Sequence, residues 1–314
     1  MAWFSHLDSG GGIVRISLRG SVPRKVTSAA FAAVLLAGGT VACGGGSASD
    51  SANEGSPRVT PATAVAKAAA NSERITSLHY RVTGTVPEKG RLEAEASMHT
   101  EPAVMKMKMN ATEQGRDGQL EIRFVDEVMY VSGTAIDSEK LDGKSWFSAH
   151  PAVWGRGAMD NKSYRVLPTQ IEGNPAAQST ILTASKDVRR IGTETIDGTR
   201  TTHYRGTVTS HNIRAARDTA ANKAARERQI NNLDQFMMLR IDDTLTMDLW
   251  IGDDNHTRQF RMRGDTRATG GGTEGKPLDL AITFLDINQP VTVEAPPSED
   301  TADIAVLADK AQAG

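Results

Sequence analysis

Cysteine is almost missing from this 314-residue chain: one stands at position 43 and none follows it. No intramolecular disulfide can form, so whatever folds downstream is held by burial and backbone pairing. Aromatic residues are scarce at 5%, and they are not interleaved with basic ones. That argues against a base-stacking platform for single-stranded nucleic acid. Charge is nearly balanced, with 36 Lys and Arg against 38 Asp and Glu, a formal net charge of −2. Such a chain sets up no strong field for nucleic acid. No apolar run reaches the ~20 residues that a helix needs to cross a bilayer.

Signatures of chemistry are missing too. There is no GxSxG elbow, no P-loop and no GxGxxG opening a helix. Histidines stand at 6, 79, 99, 150, 203, 211 and 256, none in an HExxH arrangement. None shares a helix face with a carboxylate at metal-ligand spacing. His79 and His203 fall on polar strand faces and are expected to be solvated. The acidic turn Gly252-Asp253-Asp254-Asn255 lacks the alternating spacing and distal Glu of a calcium loop. No catalytic residue, metal or cofactor is expected, and an enzyme is the least favoured class.

What is present begins at Ala29–Cys43, AAFAAVLLAGGTVAC. Arg24 and Lys25, with Arg15 and Arg19 behind them, precede an apolar stretch from Ala29 to Ala37. Small residues then run from Gly38 to Ala42. Basic, apolar and small segments in that order make an export signal. Thr40-Val41-Ala42-Cys43 resembles the lipobox of bacterial lipoproteins, with Thr40 where Leu is usual. The resemblance implies that residues 1–42 are removed and that the Cys43 thiol receives a diacylglyceryl group. Residues 1–21 contain Asp8 and a glycine run, unlike a signal, so the true start is expected downstream, near Val22. Residues 43–60 are Gly/Ser-rich and read as a tether. As a flexible coil it would reach roughly 20–25 Å. Residues 61–314 are expected to form one domain.

Thr60 and Pro61 signal a helix start, and the helix is expected over 61–75. The apolar period then changes to two. Leu78, Tyr80 and Val82 alternate with His79, Arg81 and Thr83. Leu92, Ala94, Ala96 and Met98 form the next run. Met105, Met107 and Met109 face opposite to Lys106 and Lys108. Leu120, Ile122 and Phe124, then Val128, Tyr130 and Val131, continue the series. Residues 150–173 show no period and read as a loop. A helix is expected over 175–185, and a hairpin over 188–209 around Asp197-Gly198. Residues 211–240 read as one long helix with an apolar stripe of Ile213, Ala216, Ala220, Ala224, Ile230, Leu233 and Met237. Strands follow through Leu245–Ile251, Phe260–Met262 and Leu278–Phe284, with a loop at 264–277 and a closing helix from Asp303. Nine or ten strands, mostly antiparallel, with three or four helices make an α+β fold.

These elements together resemble actinobacterial LppX/LprG-type lipoproteins, which share the LolA-like fold. The resemblance rests on the lipobox cysteine, the tether, the strand meander and the Gly143-Lys144-Ser145-Trp146 turn. The segments DVRRIGTETIDGTRTTHYRGTV and DLWIGDDNHTRQFRMR carry it further. It implies a curled antiparallel half-barrel sheet covered on its concave face by helices, holding acyl chains, with no catalytic residues. The long Ala/Arg-rich helix at 211–240 departs from that pattern.

Eleven methionines are the remaining bias. Methionine is flexible and polarizable and suits surfaces that adapt to varied apolar partners. Ordinary core packing is an equal alternative. With few aromatics to fill the inside of a wide sheet, Met98, Met105, Met107, Met109, Met129, Met247 and Leu249 are the expected cavity lining. The expected protein is therefore a monomeric, lipid-anchored lipoprotein on the extracytoplasmic face of the cell membrane. It would bind a lipid or apolar small molecule, as a carrier or sensor, without nucleic acid. The alternative is a protein-interaction or signal-sensing module on the same scaffold, docking through the 211–240 helix.

Overall fold

The computed structural model describes residues 59–87, 90–113, 116–134, 136, 138–150, 175–267 and 275–313. Cys43, the signal, the tether and the 150–173 segment past His150 lie outside them, apart from Val59 and Thr60.

The first helix, α1, spans Pro61–Ser72. Thr60 caps it, its Oγ1 accepting from Thr63 N at 3.2 Å, and Pro61 needs no intrahelical donor. Six strands follow: β1 (Ser77–Val86), β2 (Gly90–Thr100), β3 (Ala103–Glu113), β4 (Arg116–Val125), β5 (Val128–Gly133) and β6 (Trp146–Ala149). Each pairs antiparallel with its sequence neighbour, because period-two apolar runs fold back on one another, through short turns up to β5 and through a 3-10 helix at Ser138–Leu141 before β6. A second meander contains β7 (Arg189–Ile196), β8 (Thr199–Thr209), β9 (Thr244–Gly252), β10 (Thr257–Asp265) and β11 (Pro277–Ile287). Its first hairpin turns at Asp197 and Gly198, with φ of 46° and 78°, the left-handed geometry of a two-residue turn.

The two meanders join where β1 pairs antiparallel with β11, Val82 opposite Ile282. A short strand, β12 (Thr301–Asp303), adds parallel to β6. Among the described residues one 12-stranded sheet results, in the order β12-β6-β5-β4-β3-β2-β1-β11-β10-β9-β8-β7. It is mostly antiparallel, curled and unclosed, the α+β half-barrel expected. β12 is too short to show a period and was not anticipated.

Helices cover the inner face of the second meander. α2 (Pro175–Gln178) runs into a 3-10 helix, Ser179–Ala184, so the expected single helix changes pitch midway. Ile181 and Leu182 of that turn are fully buried. α1 packs on this segment, and so does the region read as one long helix. That region is two helices, α3 (Ser210–Asp218) and α4 (Lys223–Met238). Asn222 starts the second, its Oδ1 accepting from Ala225 N at 2.9 Å. The apolar stripe is also corrected. Ile213 is buried, but Ile230 and Met237 are exposed. The buried side of α4 is Gln229, Asn232 and Phe236. Asn232 donates to Thr180 O and accepts from Thr180 Oγ1, and Gln229 donates to Thr183 Oγ1. Side-chain hydrogen bonds to the 3-10 turn therefore decide which side of α4 faces inward, and composition does not report them. α5 (Ile304–Ala313) closes the chain against β6 and β12.

Candidate functional site

Alternation sorts the sheet into two chemically distinct faces. The inner face carries Leu92, Ala94, Ala96 and Met98 on β2, Met105, Met107 and Met109 on β3, and Leu120, Ile122 and Phe124 on β4. Their register stacks them in rows across the strands. Met98 lies opposite Met105, which lies opposite Phe124, itself opposite Met129 and then Ala149. The next row is Ala96, Met107, Ile122 and Val131, and the one beyond it Ala94, Met109 and Leu120.

Burial changes along these rows. In the first row Met98, Met105, Met129 and Ala149 are closed off, at 1%, 1%, 2% and 0% exposure, with Phe124 among them half-buried. Met107 is half-buried in the second row, and Met109 and Leu120 are both half-buried in the third. Leu92 and, across the seam, Leu280 are half-buried as well. The apolar face therefore becomes accessible toward the β1–β2 and β3–β4 turns. Met247 and Leu249 share the same face on β9 but are fully buried among the helices. The structure thus brings all seven predicted residues to one side of one sheet and into one core cluster or its margin. Within that set Met107 and Met109 are the half-buried ones. Leu92, Leu120 and Leu280 belong with them and were not singled out. Their half-burial depends on where the helical cover ends, which no sequence period reveals.

The electrostatics of this face are simple. Inward positions from Leu92 to Met98 on β2, Met105 to Met109 on β3 and Gly118 to Phe124 on β4 are apolar or glycine, and charges sit on the reverse: Glu93 and Glu95, Lys106 and Lys108, Glu121 and Arg123. Such a surface is apolar and presents no charge of its own. Among the described residues, no group of three His, Cys, Asp or Glu is placed to hold a metal ion.

The outer face corrects the reading of His203. It is 4% exposed, stacked on Trp250 with ring centroids 4.3 Å apart. Its Nδ1 lies 2.7 Å from Glu194 Oε1 and its Nε2 2.7 Å from Asp248 Oδ1. Trp250 Nε1 donates to Glu194 Oε2 at 2.9 Å. Arg205 and Arg263 each donate to Asp248 at 2.6 Å. The Trp250 hydrogen bond, against desolvation and with help from His203, holds the Glu194 carboxyl below the usual carboxylate range. Burial raises Asp248, but its bonds from Arg205, His203 and Arg263 outweigh that and hold it low. His79 agrees with expectation better: it is part-exposed between Glu95 and Asp286.

No family model matches the chain. An uncharacterised 31.2 kDa protein from the rplA–rplJ intergenic region of Streptomyces griseus is 25% identical over 190 residues, covering 60% of this chain and 58% of that protein. The chain thus aligns with less than two thirds of that relative's length. In fold it is similar to two solved mycobacterial lipoproteins. LprF from Mycobacterium bovis superimposes with a TM-score of 0.44 at 14% identity, over 76% of this chain and 97% of that one. LppX from Mycobacterium tuberculosis gives a TM-score of 0.40 at 15% identity, over 74% and 98%.

Proposed function

We propose that this chain is an exported lipoprotein, anchored through Cys43, that holds a lipid or similar apolar ligand on the inner face of its sheet as an envelope carrier or sensor. One observation carries the reading: a continuous apolar face, closed by helices on one side, that becomes half-exposed at Leu92, Met107, Met109, Leu120 and Leu280. A buried methylene is worth about 0.8 kcal/mol, so an acyl chain of about 16 carbons offers on the order of 12 kcal/mol before ordering costs. Tight binding then needs no polar machinery.

The experiment is lipid uptake by purified protein, read by a fluorescent fatty acid and by native mass spectrometry. The parent is expected to carry and exchange lipid. Met107→Asp puts a charge on a half-buried position of the face and is expected to lower uptake at least tenfold, with circular dichroism unchanged. Uptake that survives in the variant removes this face from the proposal. The second reading, a docking module, draws on Ile230, Met237 and Met238, exposed at 41%, 47% and 62% on α4. It is favoured if the folded parent takes up no lipid at all.

A further inference from the structure

The apolar face does not use the cluster around His203. That ring has a carboxylate oxygen 2.7 Å from each nitrogen. Both carboxyls are held low, so both are ionised acceptors with no proton to give. A neutral imidazole has one N–H, and its other nitrogen would present a lone pair to an oxyanion at hydrogen-bonding distance. Both contacts are hydrogen bonds only when the ring carries two protons. Trp250, stacked on the ring, offers its π face to that cation.

We propose that His203 is a proton-operated latch holding the edge strand β7 to the sheet. Among the described residues, β7 ends the strand order and pairs with β8 alone. Its ladder is interrupted between Arg190 and Gly192, and Ile191 beside the break is 43% exposed. Glu194 is the residue of β7 that reaches inward, to His203 on β8 and to Trp250 on β9. The groups around the ring are therefore Glu194 from β7, Asp248 and Trp250 from β9, and, behind Asp248, Arg205 from β8 and Arg263 from β10.

The two acceptors are not equivalent. Asp248 is 1% exposed and fixed by two arginines, whereas the Glu194 side chain is 46% exposed and can turn to water. Removing one proton leaves the remaining N–H on Asp248 and a lone pair on Nδ1 facing Glu194. Glu194 then keeps only the Trp250 Nε1 bond to its Oε2 across β8, so the tie of β7 falls from two contacts to one and the strand loosens. The loosening has a boundary. Asp187, just before β7, accepts from Thr207 N at 2.7 Å and from Thr207 Oγ1 at 2.8 Å, which does not involve the ring. The effect is confined to residues 189–196.

The test pairs side-chain nitrogen NMR of His203 with amide hydrogen exchange of the intact protein across a pH series, corrected for intrinsic exchange. A doubly protonated ring is expected at the acid end. Protection of the β7 amides is expected to fall at least tenfold across the pH step in which the ring loses one proton, while β1 and β11 stay protected. His79 is the internal control: it also bridges two carboxylates, but on a strand paired on both sides. In Glu194→Gln the side-chain amide can donate to, or accept from, either form of the ring. The step is expected to vanish there. A singly protonated ring throughout the folded range overturns the latch. So does β7 protection that ignores the ring's titration, or a step that persists in Glu194→Gln.

Discussion

Asp248 shows how much one buried carboxylate can organise. Its two oxygens accept from a histidine and two arginines on three neighbouring strand positions. Removing one member of such a buried set leaves the others uncompensated, at a cost of about 3–5 kcal/mol. Arg205 and Arg263 are each about one-third exposed and can recover water, so the low end applies, about 3 kcal/mol for Asp248→Ala. Urea unfolding at pH 7 measures it. The pH dependence has a definite sign. Asp248 and Glu194 titrate lower in the folded than in the unfolded chain. Each therefore contributes stability above the unfolded carboxylate value of about 4, and that contribution is lost as pH falls through the lower folded value. Asp248→Asn is expected to flatten the decline in stability between about pH 5 and pH 2. An unchanged slope would mean that Asp248 is not ionised in the fold. None of this was legible in the sequence. His203, Glu194 and Asp248 lie far apart in it, and only the strand register brings them together.

At the level of elements, the strands were legible and the helices less so. Alternation in Leu78–Val82, Leu92–Met98 and Met105–Met109 reports directly which side each residue takes, because a strand's period is fixed at two. The turn at Asp197-Gly198 was equally clear. The 211–240 region was misread because Ala and Arg favour helix throughout, while the break is set by one capping residue, Asn222, and the rotation of α4 by hydrogen bonds of Gln229 and Asn232. The seam between the meanders was not visible at all, since β1 and β11 stand at opposite ends of the domain. That seam has a tight point at Gly84, with φ of 147°, where an added Cβ would come 2.0 Å from the Asp279 carbonyl oxygen. Gly84→Ala is expected to cost at least about 1–3 kcal/mol through backbone strain alone. The core cluster runs through both meanders, so fluorescence of Trp146 in one and Trp250 in the other is expected to fall in a single, lowered urea transition. Two separated midpoints would show that the seam, not the shared core, makes the domain cooperative.

At the scale of the whole molecule, the proposed anchor and the apolar face depend on each other. A carrier free in solution meets membrane lipid by diffusion. One held by a short tether works at an effective concentration near the millimolar range for a flexible link. The Gly/Ser-rich run after Cys43 would set a reach of roughly 20–25 Å by its composition. Two acyl chains on Cys43 are enough for stable attachment, where one chain gives marginal binding. Cys43→Ser is therefore expected to move the protein from the membrane and detergent phases into the medium when expressed in a bacterial host that processes lipoproteins. Its domain should remain folded, since β1–β12 and their helices all begin after residue 59. Purified Cys43→Ser should fill its apolar face to the same extent as the anchored form when lipid is supplied in excess. Its rate of loading from donor vesicles should fall by at least tenfold. A variant that stays in the membrane fraction would remove Cys43 as the anchor. A variant that is released yet loads as fast as the parent would show that the tether serves location alone and that lipid reaches the sheet by another route.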